Sequence, residues 1–370
     1  MAERTAMLVA NTSWYLWNFR RRLAEALLGQ GFELVFAAPQ DQYSERLSGL
    51  GRFVPVEFDR KGKNPLREMA TVYALRQLLR IERPGVVLTW TPKPNIYCGL
   101  AARGSRTRLV PNVSGLGTAF ASGELLPALV KSLYSLAFHS LPVVFFQNAE
   151  DRETLAGAGC IQKSAARLLP GSGVDLERFK ASPLPANDTF RFLYGGRLLK
   201  EKGLPELVEA MRAIRADGIA AELVVYGHFD PGNPLAISEP DMRLWEDEGL
   251  LRYRGQSDHM QDAIREADCV VHPSWYREGL PRILLEAAAS ARPVVTTDNV
   301  GCRDALDPGV TGYLCESRDV ASLTEALRAM IDLAPETRDA MGRAGRRLAE
   351  SKFDERIVID EYLDVIAASG

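Results

Sequence analysis

Short runs of aliphatic, β-branched and aromatic residues alternate along this chain with longer stretches whose apolar positions recur at helical spacing. Residues 7–11, 33–38, 84–89, 108–111 and 142–146 are of the first kind and read as short buried strands. Residues 20–29 read as a helix closed near Gly31, and residues 125–141 as a helix in which only Lys131 and His139 interrupt the apolar positions. A β-α-β opening of this kind implies a parallel sheet with helices on its faces. The pattern restarts near residue 190, with strands at 191–195, 221–227, 268–273 and 293–297 and helices at 204–216 and 280–290. Residues 355–368 close the chain as an amphipathic helix with Ile357, Val358, Tyr362, Leu363, Val365 and Ile366 on one side.

Two alternations of similar length predict an α/β protein of two doubly wound, Rossmann-like domains with a cleft between them. The expected boundaries are residues 1–169 and 170–351, with 352–370 a C-terminal helix that could pack back on the first domain. The length of 370 residues agrees, because it exceeds what one hydrophobic core usually organises. At 46% hydrophobic and 25% charged, the composition excludes disordered and collagen-like chains. No apolar run approaches the roughly 18 residues of a membrane span, and the stretch after Arg4 is too short for the core of a secretion signal. The five cysteines (Cys98, Cys160, Cys269, Cys302 and Cys315) are scattered without CxxC spacing, which argues against a disulfide framework or a zinc site and for a reducing cytoplasm.

The net charge of −3 hides a split. Residues 1–185 hold 23 Lys and Arg against 15 Asp and Glu, net +8, and residues 186–370 hold 22 against 33, net −11. The basic residues Arg20, Arg21, Arg22, Arg60, Lys61, Lys63, Arg103, Arg106 and Arg108 all lie in the first half and would suit an anionic membrane or an anionic acceptor. Trp14, Tyr15, Trp17 and Phe19 could stack on a sugar, meet lipid headgroups or belong to a core.

Three segments carry candidate chemistry. In Glu278-Gly-Leu-Pro-Arg-Ile-Leu-Leu-Glu286 a loop passes into a helix at Pro281, so free N–H groups and the helix dipole form an anion site beside Glu278. Glu286, further into that helix, could accept hydrogen bonds from hydroxyls. In Tyr194-Gly-Gly-Arg-Leu-Leu-Lys-Glu-Lys-Gly203 a strand ends on two glycines, which let a ligand approach closely, and Arg197 and Lys202 follow as two cations able to neutralise a diphosphate. Leu169-Pro-Gly-Ser-Gly-Val-Asp-Leu-Glu-Arg-Phe179 is by itself only a loop. Among the histidines, His228 follows a strand end near these segments, whereas His139, His259 and His272 read as structural.

In this order and spacing the three segments resemble the GT-B glycosyltransferases of family 4. Gly171-Ser-Gly-Val-Asp175 with Phe179 matches the opening of that family's C-terminal domain, and Gly196-Arg-Leu-Leu-Lys-Glu-Lys-Gly203 its Gly-Arg-Leu…Lys-Gly element. Tyr226-Gly-His-Phe-Asp-Pro matches a glycine-bearing strand end, and Ala267-Asp-Cys-Val-Val-His-Pro-Ser274 leads into the paired glutamates Glu278 and Glu286. The resemblance implies a GT-B fold and transfer of a sugar, with retention, from a sugar nucleotide, most readily a UDP-sugar. It implies that Arg197, Lys202 and Glu278 are catalytic. Gly196, Glu278, Gly279, Leu280, Glu286 and His228 would hold the donor, Glu286 through its ribose and Glu278 through hydroxyls of the transferred sugar. No cofactor or metal is implied, and the sequence has no Asp-x-Asp triplet.

The first half departs from the common family pattern, with no Gly-Gly pair after the first strand and no histidine in residues 111–117. Asn11-Thr-Ser-Trp14, Thr91-Pro-Lys-Pro-Asn-Ile-Tyr97 and Ser114-Gly-Leu-Gly-Thr-Ala-Phe120 resemble the bacterial subgroup that builds glycans on polyprenyl diphosphate. That likeness implies a lipid-linked saccharide acceptor contacted by Asn11, Trp14, Asn18, Lys93, Asn95, Gly115 and Gly117. It also implies a peripheral position at the cytoplasmic membrane face, with no nucleic-acid partner. Two other readings stay open: an epimerase acting on UDP-N-acetylglucosamine, and a non-catalytic binder of nucleotide sugars or polyanions.

Overall fold

The computed structural model describes residues 4–59, 64–116 and 125–368. Two compact units emerge, one of Met1–Ser172 with Arg356–Gly370, the other of Gly173–Glu355. The expected boundaries at 169/170 and 351/352 lie three and four residues earlier. Residues 352–355 stay with the second unit because the chain pairs there: the Val174 N–H donates to Phe353 O at 2.8 Å and the Glu355 N–H to Val174 O at 3.1 Å.

The first unit holds seven parallel strands: β1 (Thr5–Val9), β2 (Glu33–Ala38), β3 (Arg52–Pro55), β4 (Val86–Trp90), β5 (Arg108–Val113), β6 (Val144–Phe146) and β7 (Ala166–Leu168). Their order is β3-β2-β1-β4-β5-β6-β7. Successive side chains of a strand face opposite ways, so Met7 and Val9 join one core with Leu75, Leu79 and Phe138, while Ala6 and Leu8 join another with Leu23, Trp90 and Phe145. Helix Glu355–Ala367 adds Val358, Tyr362 and Val365 to the second of these cores.

Helix Ser13–Gly29 begins well before the expected residue 20, because Thr12 caps it by accepting the Tyr15 N–H at 3.1 Å. The aromatic segment at 14–19 therefore forms its first turns, and Trp14 meets Phe19 edge-on at 4.9 Å. Within the basic cluster Arg20 is internal, whereas Arg22, Arg103 and Arg106 are exposed. Arg20 is 2% exposed, donates to Tyr15 Oη at 2.8 Å and lies 4.8 Å from the Trp90 ring. Arg108 donates to the Val365 and Ile366 carbonyls at the end of the C-terminal helix, and Arg103 to Leu136 O at 2.8 Å. Arg60, Lys61 and Lys63 lie outside the described residues.

The second unit repeats the arrangement with β8 (Phe190–Gly195), β9 (Ala221–Tyr226), β10 (Arg252–Tyr253), β11 (Cys269–His272), β12 (Val294–Thr297) and β13 (Gly312–Cys315). All are parallel, in the order β10-β9-β8-β11-β12-β13. The order reverses between β8 and β11, and such a reversal opens a crevice at the carboxyl ends of the strands. In the first unit the reversal lies between β1 and β4.

Tyr362 ties the C-terminal helix to the first sheet, its hydroxyl accepting from Trp90 Nε1 and Asn112 Nδ2, both at 2.9 Å. Tyr362→Phe leaves two buried donors without an acceptor and is expected to cost about 2–4 kcal/mol, measured by urea unfolding. A loss below about 0.5 kcal/mol would contradict this account.

Candidate active site

The candidate residues of the acidic half gather at the strand-order reversal of the second sheet. β8 runs out at Gly195, so Gly196 and Arg197 stand at its carboxyl end, and β11 runs out beside it at His272. His228 follows β9 at the same edge, where its carbonyl accepts the Leu198 N–H at 3.1 Å.

The loop after β8 is stitched to the loop after β11. The Glu201 carbonyl accepts the Trp275 N–H at 3.1 Å, the Tyr276 N–H at 3.0 Å and Ser274 Oγ at 3.3 Å. Gly203 makes this approach possible. Its φ is +78°, and a Cβ there would stand 1.9 Å from Pro273 O.

The stitching brings Lys202 to Glu278. The Lys202 ammonium donates to Glu278 Oε1, which also receives Ser274 Oγ at 3.0 Å and faces His272 Nε2 at 3.3 Å. The lysine and glutamate side chains are only 8% and 13% exposed. Lys202 Nζ also stands 4.5 Å from the centre of the Tyr276 ring. Burial pushes the Glu278 carboxyl up, but the Lys202 charge and the His272 contact outweigh it and hold the group well below its ordinary range. Burial dominates for His272 and lowers its pKa, so the ring is neutral at neutral pH. Because Glu278 accepts, the proton is assigned to Nε2, and Nδ1 is left buried without a partner.

Arg197 differs from Lys202. Its side chain is exposed and forms no ion pair among the described residues. Helix Arg282–Ala289 starts near the end of β8, where a Cβ on Gly195 would stand 2.9 Å from Ile283 Cδ1, with Pro281 as its cap rather than in its first turn. The Gly279–Leu280 backbone approaches closely because residue 301 is glycine. A Cβ on Gly301 would lie 2.1 Å from Gly279 O. Within that helix Arg282 Nε donates to Glu286 Oε1 at 2.9 Å, each side chain being 12% exposed. Burial raises the Glu286 pKa against the pull of Arg282. One oxygen of Glu286 is thus engaged, and a carboxylate has capacity to accept further hydrogen bonds.

Sequence reasoning missed His272, Ser274, Tyr276 and Arg282. The Arg282–Glu286 spacing of four was a legible helix signal. The role of His272, read as structural, depends on its reach to Glu278, which no local pattern reveals.

The predicted acceptor residues of the first unit fare differently. Asn11 is half-buried just after β1, and Trp14 and Asn18 are half-buried on the following helix, Asn18 Nδ2 donating to Trp14 O at 3.1 Å. Gly115 adopts φ +121° after β5. Gly117 lies outside the described residues. The Lys93 ammonium is engaged by Glu68 and the Asp59 carbonyl. Asn95 is a correction. It is fully buried, accepts Thr89 Oγ1 at 2.7 Å and donates to Asn112 O at 2.8 Å, so it braces the sheet and has no face for a ligand. Thr91, at the carboxyl end of β4, was not singled out, yet its φ of +69° and ψ of 150° are a region that only glycine normally enters.

Two doubly wound parallel sheets, each with a reversal of strand order, are the architecture of the GT-B glycosyltransferases. Residues 18–178 match the family described as "Glycosyltransferase Family 4", and residues 189–332 the one described as "Glycosyl transferases group 1". The chain belongs to these family 4, group 1 glycosyltransferases and is a transferase enzyme. Among its relatives is the N,N'-diacetylbacillosaminyl-diphospho-undecaprenol alpha-1,3-N-acetylgalactosaminyltransferase of Campylobacter jejuni, 23% identical over 94% of each chain. Another is a capsular polysaccharide biosynthesis glycosyltransferase of Staphylococcus aureus, 25% identical over 80% of this chain and 81% of the other. The fold is shared with the sucrose-phosphate synthase of Thermosynechococcus elongatus (TM-score 0.80, 18% identity, 99% and 100% of the chains). It is also shared with Anabaena HepE, crystallised with UDP and glucose (TM-score 0.79, 15% identity, 98% and 99%). Among the described residues, no group of three or more His, Cys, Asp or Glu could hold a metal ion, and no helix is long and apolar enough to cross a membrane.

Lys202→Met leaves the Glu278 carboxylate buried without its cation and is expected to destabilise the protein by about 3–5 kcal/mol by denaturant unfolding. A change below about 1 kcal/mol would show that the pair is solvated. Because the folded-state pKa of Glu278 is depressed, its contribution to stability is complete above pH 4.5, the ordinary value, and declines as pH falls below it. The Tm difference between wild type and Glu278→Gln should therefore narrow as pH is lowered below that point. A difference that holds constant there would contradict the assignment.

Proposed function

We propose that this glycosyltransferase moves a hexose or N-acetylhexosamine, with retention of configuration, from a UDP-sugar to a hydroxyl of a polyprenyl-diphosphate-linked saccharide. The observation that carries the donor reading is the asymmetric pair of cations at the second sheet's reversal point. Lys202 is buried and oriented by Glu278, while Arg197 is exposed and unpaired and follows Gly195, which packs against Ile283 in the first turn of a helix preceded by the Gly279 and Leu280 amides. A diphosphate suits this set: Arg197 offers a planar fork, and an ammonium has three donors, of which Glu278 Oε1 needs one. Crystallisation of Anabaena HepE with UDP and glucose supports the choice of nucleotide. The Campylobacter relative, a diphospho-undecaprenol N-acetylgalactosaminyltransferase, supports the choice of a lipid-diphosphate-linked acceptor.

In this reading the bond between C1 of the sugar and the β-phosphate oxygen breaks while the acceptor oxygen bonds to C1 on the same face. The acceptor proton passes to the departing phosphate oxygen. Arg197, Lys202 and the amides neutralise the charge that develops there, so no cofactor or metal enters the step. Glu278, ionised and bonded to Lys202, holds the lysine and accepts from hydroxyls of the sugar rather than serving as a base. Glu286 accepts from the ribose.

Release of UDP from a panel of UDP-sugars, with EDTA and with or without a polyprenyl-diphosphate-linked sugar, tests this directly. Acceptor-dependent release that ignores EDTA is expected, and Arg197→Ala should lower it about 10²–10³-fold with an unchanged Tm, because the side chain is exposed. Near-normal turnover by Arg197→Ala would remove it from the mechanism.

A further inference from the structure

Helix Pro65–Glu82 of the first unit presents a surface that neither the core nor the site accounts for. Leu75, Leu78 and Leu79 turn into the core. On the other side Leu66, Met69, Tyr73 and Ile81 are 76%, 68%, 65% and 69% exposed. At 3.6 residues per turn, Leu66, Met69 and Tyr73 fall within about 60° of one another, with Ile81 some 60° beyond Leu66. They form one apolar stripe, unlike the scattered single hydrophobics of an ordinary surface.

The charges beside the stripe have one sign. Arg67, Arg76, Arg80 and Arg83 are exposed and form no ion pair among the described residues. The two acids of the helix turn away, Glu68 to Lys93 and Tyr97, and Glu82 to Arg52. The contact between Glu68 and Lys93 also fixes the helix's position. Lys93 opens the segment after β4, so Leu66, Met69 and Tyr73 begin at the carboxyl edge of the sheet, where Thr91 lies.

We propose that this helix face docks the protein on an anionic lipid bilayer, lying in the interface plane. Leu66, Met69 and Tyr73 enter the boundary between headgroups and acyl chains, and the arginines meet lipid phosphates. The unpaired arginines favour lipid over a second copy of the chain, because a two-fold contact would set four arginines against four. The surface differs from the one that charge counting indicated, since Arg20 is buried in the fold and Arg108 is engaged by carbonyls of the C-terminal helix. The inference goes beyond the reaction proposed above and needs neither its donor nor its acceptor.

Flotation of the full chain with vesicles of phosphatidylcholine alone, and of phosphatidylcholine with phosphatidylglycerol, reads this directly. Binding to the anionic vesicles that fades with salt is expected. The variant Leu66→Gln/Met69→Gln/Tyr73→Gln should lose it, and Arg67→Gln/Arg76→Gln/Arg80→Gln should weaken it on the order of 100-fold, about fivefold per arginine. Both variants should keep the wild-type Tm and the wild-type UDP release on a short, water-soluble acceptor. Flotation without UDP release would retire the proposed reaction and leave the surface standing. Failure of wild type to float, flotation of either variant as wild type, or a concentration-dependent dimer abolished by the leucine-containing variant would overturn the docking proposal.

Discussion

The second unit is organised around an ion pair that cannot stand alone. Taking a carboxylate and an ammonium out of water is unfavourable unless their geometry and remaining hydrogen bonds compensate. Here Glu278 receives Lys202 and Ser274 and faces a neutral His272, and the aromatic face of Tyr276 lies against the ammonium. The two loops must then be held in register, which the Glu201 carbonyl does by accepting from three donors of the opposite loop. The glycine at 203 is the steric condition for that contact. Motifs that look separate in the sequence thus serve one constraint, the placement of a dehydrated lysine at the edge of a sheet.

The constraint gives two cations different characters. Lys202 is fixed before any ligand arrives, so its donors are oriented at little further cost in side-chain entropy. Arg197 stands in solvent and can close on a ligand from outside. A preoriented charge paired with an adaptable one suits a group whose negative charge grows as it leaves.

The first unit uses its charges in another way. Its buried polar layer joins Arg20, Tyr15, Trp90, Tyr362 and Asn112, and it binds the C-terminal helix to the sheet by hydrogen bonds as well as by apolar packing. Arg108 caps the same helix through its last carbonyls. Net charge was therefore a poor guide to where a basic surface lies. On helix Pro65–Glu82, by contrast, Arg67, Arg76 and Arg80 stand exposed without an ion pair among the described residues.

Local pattern determined a good deal. Apolar runs located β1, β2, β4, β5, β6, β8, β9, β11 and β12 but not β3, β7, β10 or β13, because a strand buried on both faces must be apolar at nearly every position and the short or edge strands are not. Glycines and cations at strand ends marked the donor-side site, because backbone conformation and charge are properties of the residues themselves. The start of helix Ser13–Gly29 was misplaced because aromatics blurred the period, although Thr12 was a cap signal in plain sight. Helix Pro65–Glu82 went unread, although Asn64 and Pro65 mark its start. Tertiary structure alone decided which polar side chains meet. Asn95 looked available and is buried against the sheet, while His272 looked structural and faces Glu278. Lys202 and Glu278 are 76 residues apart. Whether such residues touch is set by strand order and by the approach of two loops, and neither is encoded in the neighbourhood of either residue.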